Sequence, residues 1–210
     1  MVVIVSLYYE VKGVGRRITR AEKAFTEPQR HFPDPMDVYP VLLDRIRSIR
    51  RDEDKRLDVI GITLYTAWPT VRFWLPRPEM SGWTIRLAAA AHTGEAPNHA
   101  SGLIPDGWFA ESHANLSSIQ AQQGGNGRAR AIRLEAYGYD FMPVVHGFRL
   151  GNGDLFYSVL LWQDDGKIGR EGYSYEFISC EDHSPSAQAL RGTFDSWFVQ
   201  CSRTPWNGAS

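Results

Sequence analysis

LDVIGITLYT, residues 57–66, decides the fold class. The stretch is almost continuously apolar and rich in β-branched side chains, which is the pattern of a strand buried on both faces. Such a strand needs helices packed above and below it, and the flanking sequence supplies them. On the N-terminal side, Asp34 can cap a helix, Pro35 suits its first turn, and Asp37 favours the positive end of its dipole. Val38, Val41, Leu42, Ile46 and Ile49 then recur at helical spacing as one apolar stripe, and the charge run 50–56 closes it as a solvated end. On the C-terminal side, Thr66 is expected to cap a short helix over residues 68–75 with Pro69 in its first turn.

Working outward, WTIRLAAAA at 83–91 reads as a second buried strand, although its alanines also fit a helix. Residues 92–107 form a long polar loop of the kind that carries function. A helix is expected from Asp106 to about Gln122, with Trp108, Phe109, Leu116 and Ile119 facing inward. The texture then turns to strands at 131–137, 142–150, 155–162 and 173–179, with Gly151-Asn152-Gly153-Asp154 as a tight turn between the second and third. Ser184 and Pro185 open a last helix whose stripe is Leu190, Phe194, Trp197, Phe198 and Cys201, and the tail after it is expected to fray. Residues 2–11 and 16–25 read as a β-hairpin turned at Gly13-Val14-Gly15. The fold class is therefore α/β with α+β character: a mixed parallel and antiparallel sheet with helices on both faces, plus an N-terminal hairpin. The domain boundaries read as an arm and connector at 1–33, one α/β domain at 34–204, and a tail at 205–210.

Composition bounds the chemistry. The chain has 210 residues, 43% of them hydrophobic and 22% charged, as in globular proteins. No apolar run reaches the roughly 18–20 residues of a membrane span, so no membrane partner is expected. The opening MVVIVSLYYE lacks a basic leader and a cleavage site, so a cytoplasmic location is expected. Cys180 and Cys201 cannot make a disulfide framework or a four-cysteine zinc site, and both are expected as reduced thiols. A net charge of −1 gives no global attraction to nucleic acid, so nucleic acid is not expected as a partner. Only four of the 23 basic residues are lysines, a bias that codon usage explains as well as anion recognition does.

Candidate sites follow from residue chemistry. The glycine-rich stretches at 13–17 and 124–128 fit neither a Walker loop nor a dinucleotide fingerprint and read as turns. His92, Glu95, His99 and His113 lack a recurrent zinc spacing, so no metal and no cofactor are expected. Cys180 with His183 is a thiol–imidazole pair, but it precedes a helix capped by Ser184 and offers no oxyanion site. Tyr8, Tyr9, Arg16, Arg17 and Arg20 on the hairpin are the nearest approach to a base-stacking surface. The strongest segment is PVVHGFRLGNGDLFYSVLLW, 143–162, which sets His146 inside an apolar strand between Val145 and Phe148 and follows it with a glycine-turned hairpin.

These segments together, DVIGITLYTAWPTV, WTIRLAAAA, VVHGFRLGNGDLF and ALRGTFDSWF, resemble one half of a phospholipase D-like fold over about two thirds of the chain. The resemblance is to the version attached to actinobacterial regulatory and defence proteins. In the catalytic members of that family a strand carries histidine, then lysine two residues on, then aspartate seven residues after the histidine. The histidine attacks phosphorus, a second histidine from the other half protonates the leaving group, and the lysines hold the phosphate. Here only His146 matches; Phe148 and Gly153 stand at the lysine and aspartate places, and Arg149 and Asp154 each come one residue late. Strand alternation turns Arg149 away from the side that His146 faces.

The resemblance thus implies a retained scaffold with an eroded catalytic centre. The expected function is a non-enzymatic ligand-sensing or regulatory module. A small or anionic ligand would be held in a cleft at the strand ends by His146, Tyr137, Tyr139, His92 and His99. Two alternatives differ in class: a homodimeric phosphodiesterase or nuclease pairing His146 from two chains, and an interaction module docking through the N-terminal hairpin.

Overall fold

Seven strands form one sheet in the order β1-β7-β6-β5-β2-β3-β4. They are β1 (His31–Phe32), β2 (Arg56–Ile60), β3 (Thr84–Ala90), β4 (Arg133–Tyr139), β5 (Val145–Leu150), β6 (Leu155–Val159) and β7 (Tyr175–Ile178). Among the described residues four α-helices accompany them: α1 (Val38–Ser48), α2 (Ala67–Trp74), α3 (Trp108–Gly125) and α4 (Pro185–Cys201). This computed structural model describes residues 30–91, 103–105, 107–125, 132–162, 164, 166, 168–169 and 173–208. The expected hairpin at 2–11 and 16–25, and the loop carrying His92 and His99, lie outside the described residues.

Strands β2, β3 and β4 run parallel, as the early alternation of strand and helix requires, with α2 and α3 in the two crossovers. Strand β5 then pairs antiparallel with β2, and β6, β7 and β1 extend the sheet antiparallel. Side-chain alternation divides the core in two. Leu57, Val59, Ile85, Leu87, Phe148, Leu150, Phe156 and Phe177 point to one face, where Leu42 and Ile46 of α1, Trp68, Val71 and Trp74 of α2, and Leu116 and Ile119 of α3 cover them. Ile60, Ala88, Ala90, Val145, Leu155 and Ile178 point to the other, where Ala187, Phe194, Phe198 and Cys201 of α4 cover them. Each fully buried Leu, Ile or Phe contributes about 1.5–3 kcal/mol, so both faces are held chiefly by these side chains. Ser184 caps α4 as expected, accepting from the Ala187 amide, whereas Asp34 accepts from the Met36 amide and caps the 3-10 turn Pro35–Asp37 that leads into α1, which has no side-chain cap of its own.

Several expectations are corrected. The apolar run 57–66 is strand only to Ile60; residues 61–66 leave the sheet yet stay largely buried, because burial and strand share one hydrophobic signature. Thr66 precedes α2 without a side-chain capping bond; its hydroxyl instead accepts from Tyr39 Oη at 2.8 Å. The connector contributes β1, with Phe32 fully buried against Phe156, and the compact unit runs from His31 to Ser210. The tail does not fray at once: the Gly138 amide donates to Thr204 O at 3.1 Å, the Trp206 amide donates to Ala136 O at 2.9 Å, and the Trp206 ring is buried. Cys180 and Cys201 are both free thiols, Cys201 fully buried, where desolvation pushes its thiol up to about 12. Among the described residues no helix is long and apolar enough to cross a membrane.

Candidate functional site

The carboxyl ends of parallel strands are where open α/β sheets place their ligands, and the cavity here lies at that edge. Beyond Ile60 at the end of β2 the chain enters a loop, residues 61–66, that leads into α2. The wall opposite comes from the start of β5 and from Tyr173 and Tyr175 at the head of β7. The cavity has a volume of about 80 Å³. A water needs roughly 10–15 Å³ on the same measure, so the space suits several waters or one small organic molecule.

The loop is held firmly. The Gly61 amide donates to Ala88 O at 3.0 Å and the Ala90 amide to Ile62 O at 2.9 Å, so the loop stays tied to β3 after leaving the sheet. Asn115 of α3 donates from Nδ2 to Thr63 O at 2.7 Å, and the Trp68 amide donates to Leu64 O at 2.9 Å. Tyr139 Oη donates to Gly61 O at 2.9 Å from the other face of the sheet. Leu64 adopts φ 58°, a left-handed conformation that costs a leucine about 1–2 kcal/mol. These bonds, together with burial of the Leu64 side chain, hold the strained turn in place.

His146 lines the cavity from β5 and is only 7% exposed. Its Nε2 is buried without a hydrogen-bond partner. The ring packs against Tyr173 at 5.0 Å, edge-on, and against Tyr175 at 5.4 Å. Desolvation lowers its pKa to about 4, so the imidazole is neutral at pH 7. The same burial raises the Tyr175 phenol well above its ordinary value. Next to His146, Gly147 has φ 145°, and a Cβ there would lie 2.0 Å from Phe156 O. Only glycine lets β6 approach β5 at this point.

The structure separates residues that the sequence grouped together. Tyr137 and Tyr139 lie on the α4 face of the sheet, opposite His146, because they share parity with Glu135 on β4. Tyr137 Oη bonds to Glu135, and desolvation followed by that bond pushes its phenol up to about 12. Tyr139 touches the site only through its bond to Gly61 O, as a support. His92 and His99 lie outside the described residues. Phe148 shares the cavity with His146, so the position two residues after the histidine presents an apolar ring there. Arg149 points to the α4 face, donating to Asp195 at 3.3 Å and to Leu150 O at 3.1 Å.

Asp154 is fully buried, but not at the cavity. Arg45 of α1 donates to it twice, at 2.7 and 3.0 Å, and Asn152 and the Cys180 amide add bonds at 3.0 and 2.8 Å. Burial alone would raise this carboxyl; the four bonds outweigh it and hold the pKa below the usual value. Desolvation and the neighbouring Asp154 push the Cys180 thiol up, so the Cys180–His183 pair supplies no ready thiolate.

Thr63, Leu64, Trp108, Tyr173 and Tyr175 line the site, and sequence reasoning missed them as site residues. One signal was available: Gly61 interrupts a β-branched run at the end of a central strand, and such a glycine marks a departure from the sheet.

No protein-family model matches the chain, and no curated protein matches it. Among solved structures, TrmBL2, an archaeal chromatin protein reported to show a novel mode of DNA binding, is similar at 9% identity with a TM-score of 0.44, covering 96% of this chain and 68% of that one. The expectation that nucleic acid is not a partner is corrected here, and the exclusion is withdrawn. That exclusion rested on total charge, which does not report how charge is distributed over a surface. The likeness assigns no ligand to this chain and does not bear on the phospholipase D-like resemblance.

Proposed function

We propose that the chain is a non-enzymatic ligand-binding module on a degenerate phospholipase D-like scaffold, and that its ligand occupies the cavity walled by His146. One observation carries this reading: a buried imidazole nitrogen with no hydrogen-bond partner lines a cavity at the carboxyl ends of the parallel strands. A buried polar atom left unpaired costs about 1–3 kcal/mol, a cost that an incoming hydrogen-bonding group offsets. Phosphoryl transfer is poorly supported. The imidazole faces Phe148 where the catalytic family carries lysine, Arg149 is turned to the other face, and Asp154 is committed to Arg45.

The test is an assay of the wild type and His146→Ala on a chromogenic phosphodiester and on single- and double-stranded nucleic acid, with EDTA present. Equal, background-level rates are expected. Turnover in the wild type that disappears in the variant would overturn the reading and establish a histidine-dependent phosphodiesterase.

A further inference from the structure

We propose that the His146 cavity is built for one small uncharged aromatic ring bearing a single hydrogen-bonding group, phenol-like in size and chemistry, and that it discriminates against anions. This rests on the ligand-binding reading above and names the class of ligand.

Three observations carry it. First, most carbonyl oxygens of the loop, and its two threonine hydroxyls, already accept a hydrogen bond. The carbonyl oxygens of Gly61, Ile62, Thr63, Leu64 and Thr66 accept bonds from Tyr139, Ala90, Asn115, Trp68 and Thr70 respectively. The Thr63 hydroxyl accepts from the Tyr65 amide, and the Thr66 hydroxyl from Tyr39. His146 Nε2 is left as a buried polar atom with no partner in this cavity. A sugar would bring several hydroxyls to a wall that can pair few of them, whereas a phenol brings one. A phenolic hydroxyl both donates and accepts, so it matches either neutral tautomer of the imidazole.

Second, the wall is apolar and aromatic. Trp108, Phe148, Tyr173 and Tyr175 stand with Val59 and Leu160, and aromatic rings favour edge-to-face contact with another ring.

Third, the described lining offers no side-chain cation. Among the described residues that line it there is no lysine or arginine. At the N-terminus of α2 the Trp68 amide is bonded to Leu64 O and Pro69 has no amide hydrogen, so neither position donates to an anion.

The experiment titrates the full chain with phenol, benzoate and inorganic phosphate separately, following the His146 ring signals by NMR. The variants are His146→Phe, which removes the nitrogen and keeps a ring, and His146→Gln, which keeps a polar group; circular dichroism checks that each is folded. Saturable binding of phenol, weakened about tenfold in His146→Phe as expected for one lost hydrogen bond, and less weakened in His146→Gln, is the expected result. Benzoate or phosphate binding as tightly as phenol, with loss in His146→Phe, overturns the neutral-ring inference and leaves the ligand-binding reading intact. If no probe moves the His146 signals, both fall.

Discussion

The β5–β6 hairpin holds two buried ionisable side chains, one at each end, and they are treated in opposite ways. At the turn, Asp154 is fully buried and receives four hydrogen bonds, two of them from the Arg45 guanidinium. At the open end, His146 is almost as buried and its Nε2 receives none. The protein thus satisfies a buried carboxylate in full where it ties α1 and the Cys180 backbone to the turn. It leaves an imidazole unsatisfied where a cavity opens. Within this one hairpin, the buried group left unpaired is the one that borders the cavity, and the group at the turn is fully paired.

The comparison breaks first at Arg45. Arg45→Ala would strand the Asp154 carboxylate in the core, and a loss of about 3–5 kcal/mol is expected by urea unfolding. Replacing both partners by apolar residues, Arg45→Met with Asp154→Leu, should recover much of it; a single variant as stable as the wild type would show that the turn does not depend on the pair.

Acid should distinguish the two ends next. The His146 pKa is lowered to about 4 in the folded state against 6.5 unfolded, so the unfolded chain binds more protons between these values. Stability from this group is complete above pH 6.5 and falls as pH drops toward 4, by about 3 kcal/mol at most, since each pKa unit is worth about 1.4 kcal/mol. His146→Phe should lack that slope. Asp154, whose folded pKa is depressed, loses its contribution only as pH falls further, through its folded pKa.

At pH 7 the expected effect of His146→Phe is smaller still: a change within about 1 kcal/mol of either sign, because the substitution removes an unsatisfied group and keeps a ring. A loss as large as that of Arg45→Ala would make His146 a structural residue and erase the contrast. Smallest of all is Asp195→Ala. Its pair with Arg149 is half-exposed, so about 0–1 kcal/mol is expected by the same unfolding measurement.

Much of this was legible in one dimension. The interior strands followed from the apolar runs at 57–66, 83–91 and 142–150, although the first leaves the sheet after Ile60 and the third enters it only at Val145, and α4 followed from the Phe194 and Phe198 stripe above its Ser184 cap. Strand parity also placed Arg149 opposite His146 without coordinates. The site was only partly legible. His146 stood out because an imidazole is unusual in a strand core. Tyr137 and Tyr139 were grouped with it because proximity in sequence says nothing about which face an edge strand presents. Tyr173 reaches His146 only through the long-range pairing of β7 with β6, and that register is written in no local pattern. Leu64 carries a left-handed φ that propensity would assign to glycine or asparagine, so tertiary burial overrides the local preference there.

The return of the chain after α4 has a mechanical consequence. Helix α4 covers one face of the sheet, yet Trp206, five residues past its end, is buried in the core of the opposite face beside His113 of α3. The segment between them passes around the free side of β4, bridging at Pro205 and Tyr137. The two layers are therefore stapled by one continuous strap, and α4 cannot peel from its face without pulling Trp206 out of the other. Amide exchange in α4 and β4 should then report a single opening event in place of two independent ones. The edge that this strap occupies is also withheld from pairing with a neighbouring molecule.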